Sequence, residues 1–238
     1  MVSPVSYVHE ESVAWITMDD GKVNALSASM LAALGAAFDR AEADEAVVVL
    51  SGRPGILSAG FDLTVLRGGG DDAVTMLQGG FRLAQRMLTF PAPVMVACPG
   101  HAIAMASFLV LSADYRIGVS GPYRITANEV AIGLTMPRAA IEICRQRLTP
   151  AQFNRAVMLA EVFSPEDAVL AGFLDRVVPQ AELMDTARET AQLLAGLDRQ
   201  AHVSTKMRAR ADLLTDLRAA IELDDAELEG LRAVATTP

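Results

Sequence analysis

The amino-acid sequence predicts an α/β core that is followed by a helical C-terminal region. Short runs of β-branched residues, typical of buried strands, recur between helical segments in the first part of the 238-residue chain. From Ala181 onward the pattern is helical nearly to the end of the chain, with no further strand pattern. We therefore predict a core over residues 1–196 and a helical region over residues 197–238, divided near Gly196.

The predicted strands and helices have recognisable boundaries. Ser27 is a suitable N-cap for an alanine-rich helix that runs to about Ala43. Pro91 and Pro93 end a later helix, because proline cannot continue one. In chain order we predict a strand over 13–18, a helix over 27–43, a strand over 47–50, a short helix closed by the glycines at 68–70, a helix over 71–90, a strand over 94–97, a tight turn over 99–101, a helix over 104–113, extended segments over 115–119 and 123–126, helices over 137–146, 150–160 and 165–171, and a strand over 174–178.

Composition and charge exclude several classes of function. The net charge of −9 and the absence of a basic run argue against nucleic-acid binding. Cys98 and Cys144 are the only cysteines and belong to no metal-binding pattern, so we expect neither a disulfide nor a metal site. Residues 93–113 are apolar but are interrupted by Pro99 and Gly100, which predicts a buried strand, turn and helix rather than a membrane span. Because the first residues also lack a signal-peptide pattern, we expect a cytoplasmic protein.

Three ordered segments carry a pattern of their own. They are Asn24-Ala25-Leu26, the segment LSAGFDL at 57–63, and a block that runs from PVMVA at residue 93 through GHA to ADYRI ending at residue 117. Together they resemble the crotonase (enoyl-CoA hydratase/isomerase) superfamily, and residues 128–134 and 168–178 extend the resemblance over nearly the whole chain. The resemblance implies a ββα spiral with two roughly perpendicular sheets. It also implies a homotrimer or dimer of trimers, in which the C-terminal helical region serves oligomerisation.

The resemblance also implies chemistry on an acyl-CoA thioester. Removing a proton next to a thioester puts negative charge on the carbonyl oxygen, which needs hydrogen-bond donors already in place. By resemblance, these donors are the backbone N–H groups of Ala59 and Met105, each at a passage from strand to helix, where the helix N-terminus adds partial positive charge. Glu129 is the base implied by the same comparison.

Phe108 decides between two reactions of this family. In the hydratases that the sequence resembles, two glutamates hold the attacking water, and Phe108 stands where the first would be. A single carboxylate such as Glu129 can instead move a proton from C2 to C4 without water. This pattern is similar to Δ3,Δ2-enoyl-CoA isomerases of mitochondrial type, so isomerase is our first prediction. An enoyl-CoA hydratase and a protein that binds acyl-CoA without turnover remain as alternatives.

The resemblance further predicts a set of substrate-binding residues. Lys22 would lie beside the nucleotide of coenzyme A, and Lys206 would reach coenzyme A at a subunit boundary. Asp62 would fix the turn that carries the first donor. Coenzyme A enters as part of the substrate, and no further cofactor is expected. The residues predicted to line the substrate site are Lys22, Ala25, Ser58, Gly60, Phe61, Asp62, Phe108 and Lys206.

His101 and Ser107 raise the question of a hydrolase. The fold also includes the Clp protease proteolytic subunit, in which a nucleophilic serine directly precedes a Met in a similar string. Ala104 occupies that position here, and Ser107 lies nearly one turn further on without a nucleophile-elbow sequence around it. We therefore predict no serine nucleophile. Asp62 and Glu142 are reserve carboxylates if Glu129 is not the base.

Overall fold

The structure, a computed structural model, describes the backbone of residues 3–235 and the side chains of residues 3–230. Within this part of the chain the strands are β1 (Val5–Glu10), β2 (Val13–Met18), β3 (Val47–Ser51), β4 (Gly55–Ser58), β5 (Val94–Cys98), β6 (Gly100–Ile103), β7 (Tyr115–Val119), β8 (Ile125–Thr126) and β9 (Arg176–Val178). The helices are α1 (Ala28–Ala43), α2 (Leu63–Gly68), α3 (Gly70–Thr89), α4 (Met105–Ser112), α5 (Arg138–Arg145), α6 (Pro150–Leu159), α7 (Pro165–Ala171), α8 (Leu183–Ala195), α9 (Arg199–Ala209) and α10 (Ala211–Ala235).

The strands form two sheets. The larger has the order β1-β2-β3-β5-β7-β9, and the smaller has the order β4-β6-β8. Only the β1–β2 pair is antiparallel among the described strands; the other pairs are parallel. From β3 to β8, consecutive strands enter different sheets, and helices return the chain for the next pair. This arrangement confirms the predicted α/β fold with two sheets and a helical C-terminal region.

The large sheet is covered on both faces. β3 and β5 are buried at every residue, as expected for central parallel strands whose two faces both meet helices. One face packs against a broad core that includes α1, α3 and α4, and the other packs against α8 through Leu183, Ala187 and Ala191. Within residues 3–235, no helix combines the length and apolar character needed to cross a membrane.

Three strands differ from the prediction. β1 and β4 were not predicted, and β6 occupies the segment that was expected to continue from a tight turn into a helix. The β4–β6 pairing explains this difference. Gly55 and Gly100 face each other in the pair, and a Cβ at Gly100 would lie 2.0 Å from the Gly55 carbonyl oxygen. Gly100 therefore allows the two backbones to approach closely, and pairing with β4 keeps this segment extended.

The C-terminal helices pack on the core of the same chain. α10 contacts α3 and α5. The Asp224 carboxylate accepts hydrogen bonds from the backbone N–H groups of Arg138 (3.2 Å) and Ala139 (2.9 Å), so α10 caps the N-terminus of α5. The break between α8 and α9 falls at residues 196–198. The division at Gly196 and the oligomeric role of the C-terminal region stay predictions, and residues 1–2 and 236–238 of the predicted ranges lie outside the described residues.

Candidate active site

The segment between β4 and α2 is held by side chains on both of its sides. The Asn24 side-chain amide donates to the carbonyl oxygens of Met18 (2.9 Å) and Leu57 (3.0 Å). The Ser58 hydroxyl accepts from the Gly60 N–H at 3.0 Å, and Asp62 caps α2 by accepting from the Thr64 N–H at 2.8 Å. Asp62 thus fixes the turn, as the sequence predicted.

The hydrogen bonds of this segment show that the prediction of the Ala59 N–H as a donor to the substrate is wrong. The Ala59 N–H donates to the Val23 carbonyl oxygen at 3.0 Å, so it is not available to a substrate. The Leu26 N–H donates to the Gly60 carbonyl at 2.8 Å and holds the next peptide as well. By contrast, the Phe61 N–H donates to no acceptor among the described residues. Phe61 therefore carries the available amide of this segment, two residues beyond the predicted position.

The second predicted donor lies at the start of α4. Met105 is the first residue of this helix, where backbone N–H groups have no acceptor within the helix. Ala104, directly before it, has φ of 51° and ψ of −125°, a conformation that costs a residue with a side chain about 1–3 kcal/mol. Its peptide is held in place because the Ala104 N–H donates to the Thr126 carbonyl at 2.9 Å.

Gly60 brings the two donor segments into contact. It has φ of +85°, and a Cβ at this position would lie 2.8 Å from the Ile103 carbonyl oxygen, 2.9 Å from the Ala104 Cβ and 3.4 Å from the Met105 nitrogen. A side chain would therefore push the segments apart. The peptide that precedes the Phe61 amide thus packs directly against the residues that lead into α4.

Glu129 is a buried carboxylate in the segment that follows β8. It follows β8, whose Thr126 holds the Ala104 peptide, and only 7% of its surface is exposed. Burial raises the pKa of the Glu129 carboxyl from 4.5 to about 7. Its Oε2 atom is buried and has no hydrogen-bond partner among the described residues. The buried Cys144 thiol of α5 is close enough that the Glu129 charge adds to the effect of burial in raising the thiol pKa.

Aromatic rings connect Phe61 to Phe108 through α3. Phe81 packs edge-on against Phe61 with ring centroids 6.4 Å apart, and it stacks on Phe108 at 6.3 Å. A Cβ at Gly80 would lie 2.4 Å from the Phe61 ring and 3.4 Å from the Met105 Cγ, so this glycine makes room for both side chains. Gly80 and Phe81 were not predicted as site residues, because the sequence marks α3 only by its helical spacing.

The sequence of this chain matches a known protein family. Residues 8–235 match the family model described as enoyl-CoA hydratase/isomerase. The chain belongs to the enoyl-CoA hydratase/isomerase family. The crotonase resemblance is thereby confirmed over nearly the whole chain.

Solved structures of the family share the fold closely. An enoyl-CoA hydratase/isomerase family protein from Pseudomonas syringae is 49% identical, with a TM-score of 0.92 over 94% of this chain and 98% of that chain. An enoyl-CoA isomerase from Mycobacterium tuberculosis is 47% identical, with a TM-score of 0.91 over 95% of this chain and all of that chain (100%). A carnitinyl-CoA dehydratase from Salmonella paratyphi A is 31% identical over 182 residues, which are 75% of this chain and 69% of that protein.

Lys206 of this family member does not have the predicted role. Its ammonium group lies 2.7 Å from an Asp114 carboxylate oxygen and donates to the carbonyl oxygens of Phe90 (3.1 Å) and Ala92 (2.9 Å). These acceptors use all three of its donors, and only 3% of the side chain is exposed. Lys206 therefore anchors α9 to the core and is not free to bind coenzyme A. Lys22 is exposed and Ala25 is half-buried, and their contacts with coenzyme A stay predictions.

The other polar residues considered from the sequence have structural partners. The Ser107 hydroxyl donates to the Ala104 carbonyl at 2.7 Å, and His101 Nδ1 accepts from the Arg124 N–H at 3.0 Å. These bonds hold both side chains in local structure, and neither contact joins the serine to the histidine. Glu142 forms an ion pair with Arg145 at 3.2 Å on α5, so the base is better sought in Glu129.

Proposed function

We propose that this family member is an enoyl-CoA isomerase that shifts the double bond of 3-enoyl-CoA to position 2. The observation that carries the proposal is the buried Glu129 carboxylate, which has a raised pKa and an oxygen without a hydrogen-bond partner among the described residues. It lies three residues after Thr126, which holds the Ala104 peptide before the second donor. A base with a pKa near 7 is about half ionised at neutral pH, so it can both accept a proton and return it.

The proposed reaction moves one proton and two electron pairs. Glu129 takes a proton from C2, and the electrons of that C–H bond form an enolate whose charge lies on the thioester oxygen. The amides of Phe61 and Met105 donate hydrogen bonds to this oxygen and stabilise its charge. The dienolate then takes the proton from Glu129 at C4, which leaves a double bond between C2 and C3. No other reactant is consumed.

Phe108 supports isomerisation over hydration. Hydration requires a water that is oriented and deprotonated, for which a second carboxylate on α4 would be suited. α4 has the sequence MASFLVLS and carries no carboxylate. Phe108 is 1% exposed and is packed against Phe81, so the position offers an apolar wall instead. An apolar wall keeps water away from the enolate and favours the direct proton shift.

Hydration of 2-enoyl-CoA is the second candidate. The Mycobacterium tuberculosis relative is described as an enoyl-CoA isomerase in one structure and as a probable enoyl-CoA hydratase in another, which is 45% identical to this chain with a TM-score of 0.92 over 98% of this chain and all of that chain (100%). Similarity alone therefore does not separate the two reactions.

A direct assay separates the reactions. The purified protein is incubated with 3-enoyl-CoA and, separately, with 2-enoyl-CoA. Isomerisation is followed by the ultraviolet absorbance of the conjugated 2-enoyl thioester, and hydration is detected by mass spectrometry. Isomerisation conserves the mass, whereas hydration adds one water. We expect turnover of 3-enoyl-CoA to 2-enoyl-CoA, and a loss of at least about 100-fold in kcat for Glu129→Gln.

The control is Glu189→Gln, the same substitution at an exposed position of α8, which should leave kcat unchanged. Faster hydration of 2-enoyl-CoA than isomerisation of 3-enoyl-CoA would contradict the proposal. Binding of both thioesters without turnover would indicate a non-catalytic acyl-CoA-binding protein.

A further inference from the structure

A cavity lies where α9 meets the core. Its volume is about 630 Å³, and its charged or titratable lining side chains are Asp114, Arg147, Asp198, His202, Lys206 and Arg210. Asp114 directly precedes β7, and Arg147 follows α5. None of the residues proposed above to act on the acyl-CoA thioester lines this cavity.

The Asp114 carboxylate forms ion pairs with two cationic side chains of the cavity. The Asp114 oxygens lie 2.7 Å from the Lys206 ammonium and 2.8 Å from the Arg210 guanidinium. The same carboxylate also accepts the Val94 N–H at 2.8 Å. Asp198 accepts the Ala201 N–H at 2.7 Å as the cap of α9. Both carboxylates of the cavity are therefore already engaged by groups of this chain.

Arg147 forms no direct ion pair within the described residues, although the charges of Asp175 and Asp114 are close enough to raise its pKa. Its Nη2 donates to the Ala113 carbonyl at 2.8 Å, but its Nε atom is buried and has no hydrogen-bond partner within the described residues. Burial, together with the charges of Arg116 and Arg210, lowers the pKa of Arg147 to about 10. A half-buried guanidinium without a carboxylate in hydrogen-bond contact is costly, and an anion in the cavity would relieve that cost.

His202 provides a second unused donor. Its Nε2 atom is buried and lies 4.0 Å from the Asp114 carboxylate, beyond hydrogen-bond distance. A neutral imidazole donates from one of its two ring nitrogens, so the part of His202 that lines the cavity can bind an anion without a second proton. Arg147, Lys206 and Arg210 together outnumber the carboxylates of Asp114 and Asp198, although the whole chain carries a charge of −9.

We propose that this cavity binds a small phosphate-bearing anion through the guanidinium of Arg147 and the imidazole of His202, which both line it. Lys206 and Arg210 add positive potential to the cavity, while both continue to donate hydrogen bonds to backbone carbonyl groups. Such an anion would link α9 to the end of α5. The site is separate from the acyl-CoA site of the proposed function, so coenzyme A and phosphate should bind together.

Calorimetric titration of the full chain with inorganic phosphate tests the proposal. Ionic strength is held constant with chloride, because a general salt effect would otherwise imitate binding. We expect saturable binding of one phosphate per chain, weakened at least about tenfold by Arg147→Gln, since charge-assisted hydrogen bonds are the strongest of their kind. Arg145→Gln, an exposed arginine on α5 outside the cavity, is the matched control and should leave the affinity unchanged.

Further experiments test whether the variants fold and whether phosphate binds at the acyl-CoA site instead. His202→Gln should also weaken phosphate binding. If circular dichroism shows that Arg147→Gln does not fold, His202→Gln is the variant that tests the proposal. Saturating coenzyme A should not compete with phosphate, and competition would assign the signal to the acyl-CoA site and overturn the proposal. Absence of saturable binding, or equal losses in the Arg147 and Arg145 variants, would also overturn it. These results are independent of whether the enzyme isomerises 3-enoyl-CoA.

Discussion

The buried base should make the protein less stable as pH rises. Burial raises the pKa of Glu129 to about 7 in the folded protein, from 4.5 without that environment. Between these values the folded state binds this proton and the unfolded chain releases it. The contribution of Glu129 to stability is therefore greatest below pH 4.5, falls as pH rises through about 7, and is constant above that value. Glu129→Gln removes the charge while keeping the shape of the side chain.

The size of the effect follows from the ionisation equilibrium. Each tenfold change in that equilibrium is worth about 1.4 kcal/mol, so the ionised carboxylate costs the folded state roughly 3 kcal/mol above neutral pH. Relative to the wild type, Glu129→Gln should therefore gain about 3 kcal/mol in unfolding free energy between about pH 4 and about pH 8.5. Any packing or hydrogen-bonding effect of the glutamine is the same at both pH values and cancels in this comparison.

Urea unfolding followed by circular dichroism at both pH values measures the effect. Glu189→Gln is the control, because it makes the same substitution at an exposed site, where changes stay within about 0.5 kcal/mol at either pH. If Glu129→Gln differs from the wild type by the same amount at both pH values, the Glu129 carboxyl ionises as readily in the folded protein as in the unfolded chain. That result would refute the account of Glu129 as a base prepared by burial.

Three further substitutions test other parts of the structure. Lys206→Met should lower the unfolding free energy in urea by about 1–3 kcal/mol, because Arg210 still pairs with Asp114. KM for acyl-CoA should not change, whereas a raised KM at unchanged stability would restore the predicted role of Lys206 in coenzyme A binding. Gly60→Ala should lower kcat about 100-fold by displacing a donor. Gly55→Ala is its control, because Gly55 has a similar positive φ but open space around it, so this substitution should lower only the stability. Equal kcat values for the two variants would contradict the contact between Gly60 and the second donor segment. Asp224→Asn should lower the melting temperature by weakening the cap of α5, a loss of about 1 kcal/mol, and an equal loss in the neighbouring Asp225→Asn would argue against that cap.

Much of the fold could be predicted because its elements carry local signals. β3 and β5 are continuous β-branched or apolar runs, and α6 and α7 begin at prolines that favour the first helical turn. The strands of the small sheet carry no such signal. β4 and β6 are four residues long and contain glycine, so their extended form depends on the partner strand rather than on their own side chains.

The site was predictable by residue type and position, but not by its hydrogen bonds. The motif identified the β4–α2 segment and the start of α4, and Glu129 is a buried carboxylate three residues after Thr126, which holds the Ala104 peptide. Two assignments failed for the same reason. Ala59 donates to Val23, and Lys206 is fully occupied by Asp114 and two carbonyl groups, and neither partner is adjacent in the sequence. A motif specifies which residue is present, whereas the partners of its donors follow from tertiary packing.

The bond that removes Ala59 from the candidate donors also helps to make the remaining donor effective. An amide stabilises a developing charge well only if it is held in place before the charge appears, because reorientation during the reaction would cost free energy. The Ala59–Val23 and Leu26–Gly60 hydrogen bonds fix the backbone on the N-terminal side of Phe61, while the Asp62 cap fixes it on the other side. Among the described residues the Phe61 N–H is thereby left unpaired within a rigid segment, which is the arrangement that the proposed thioester enolate requires.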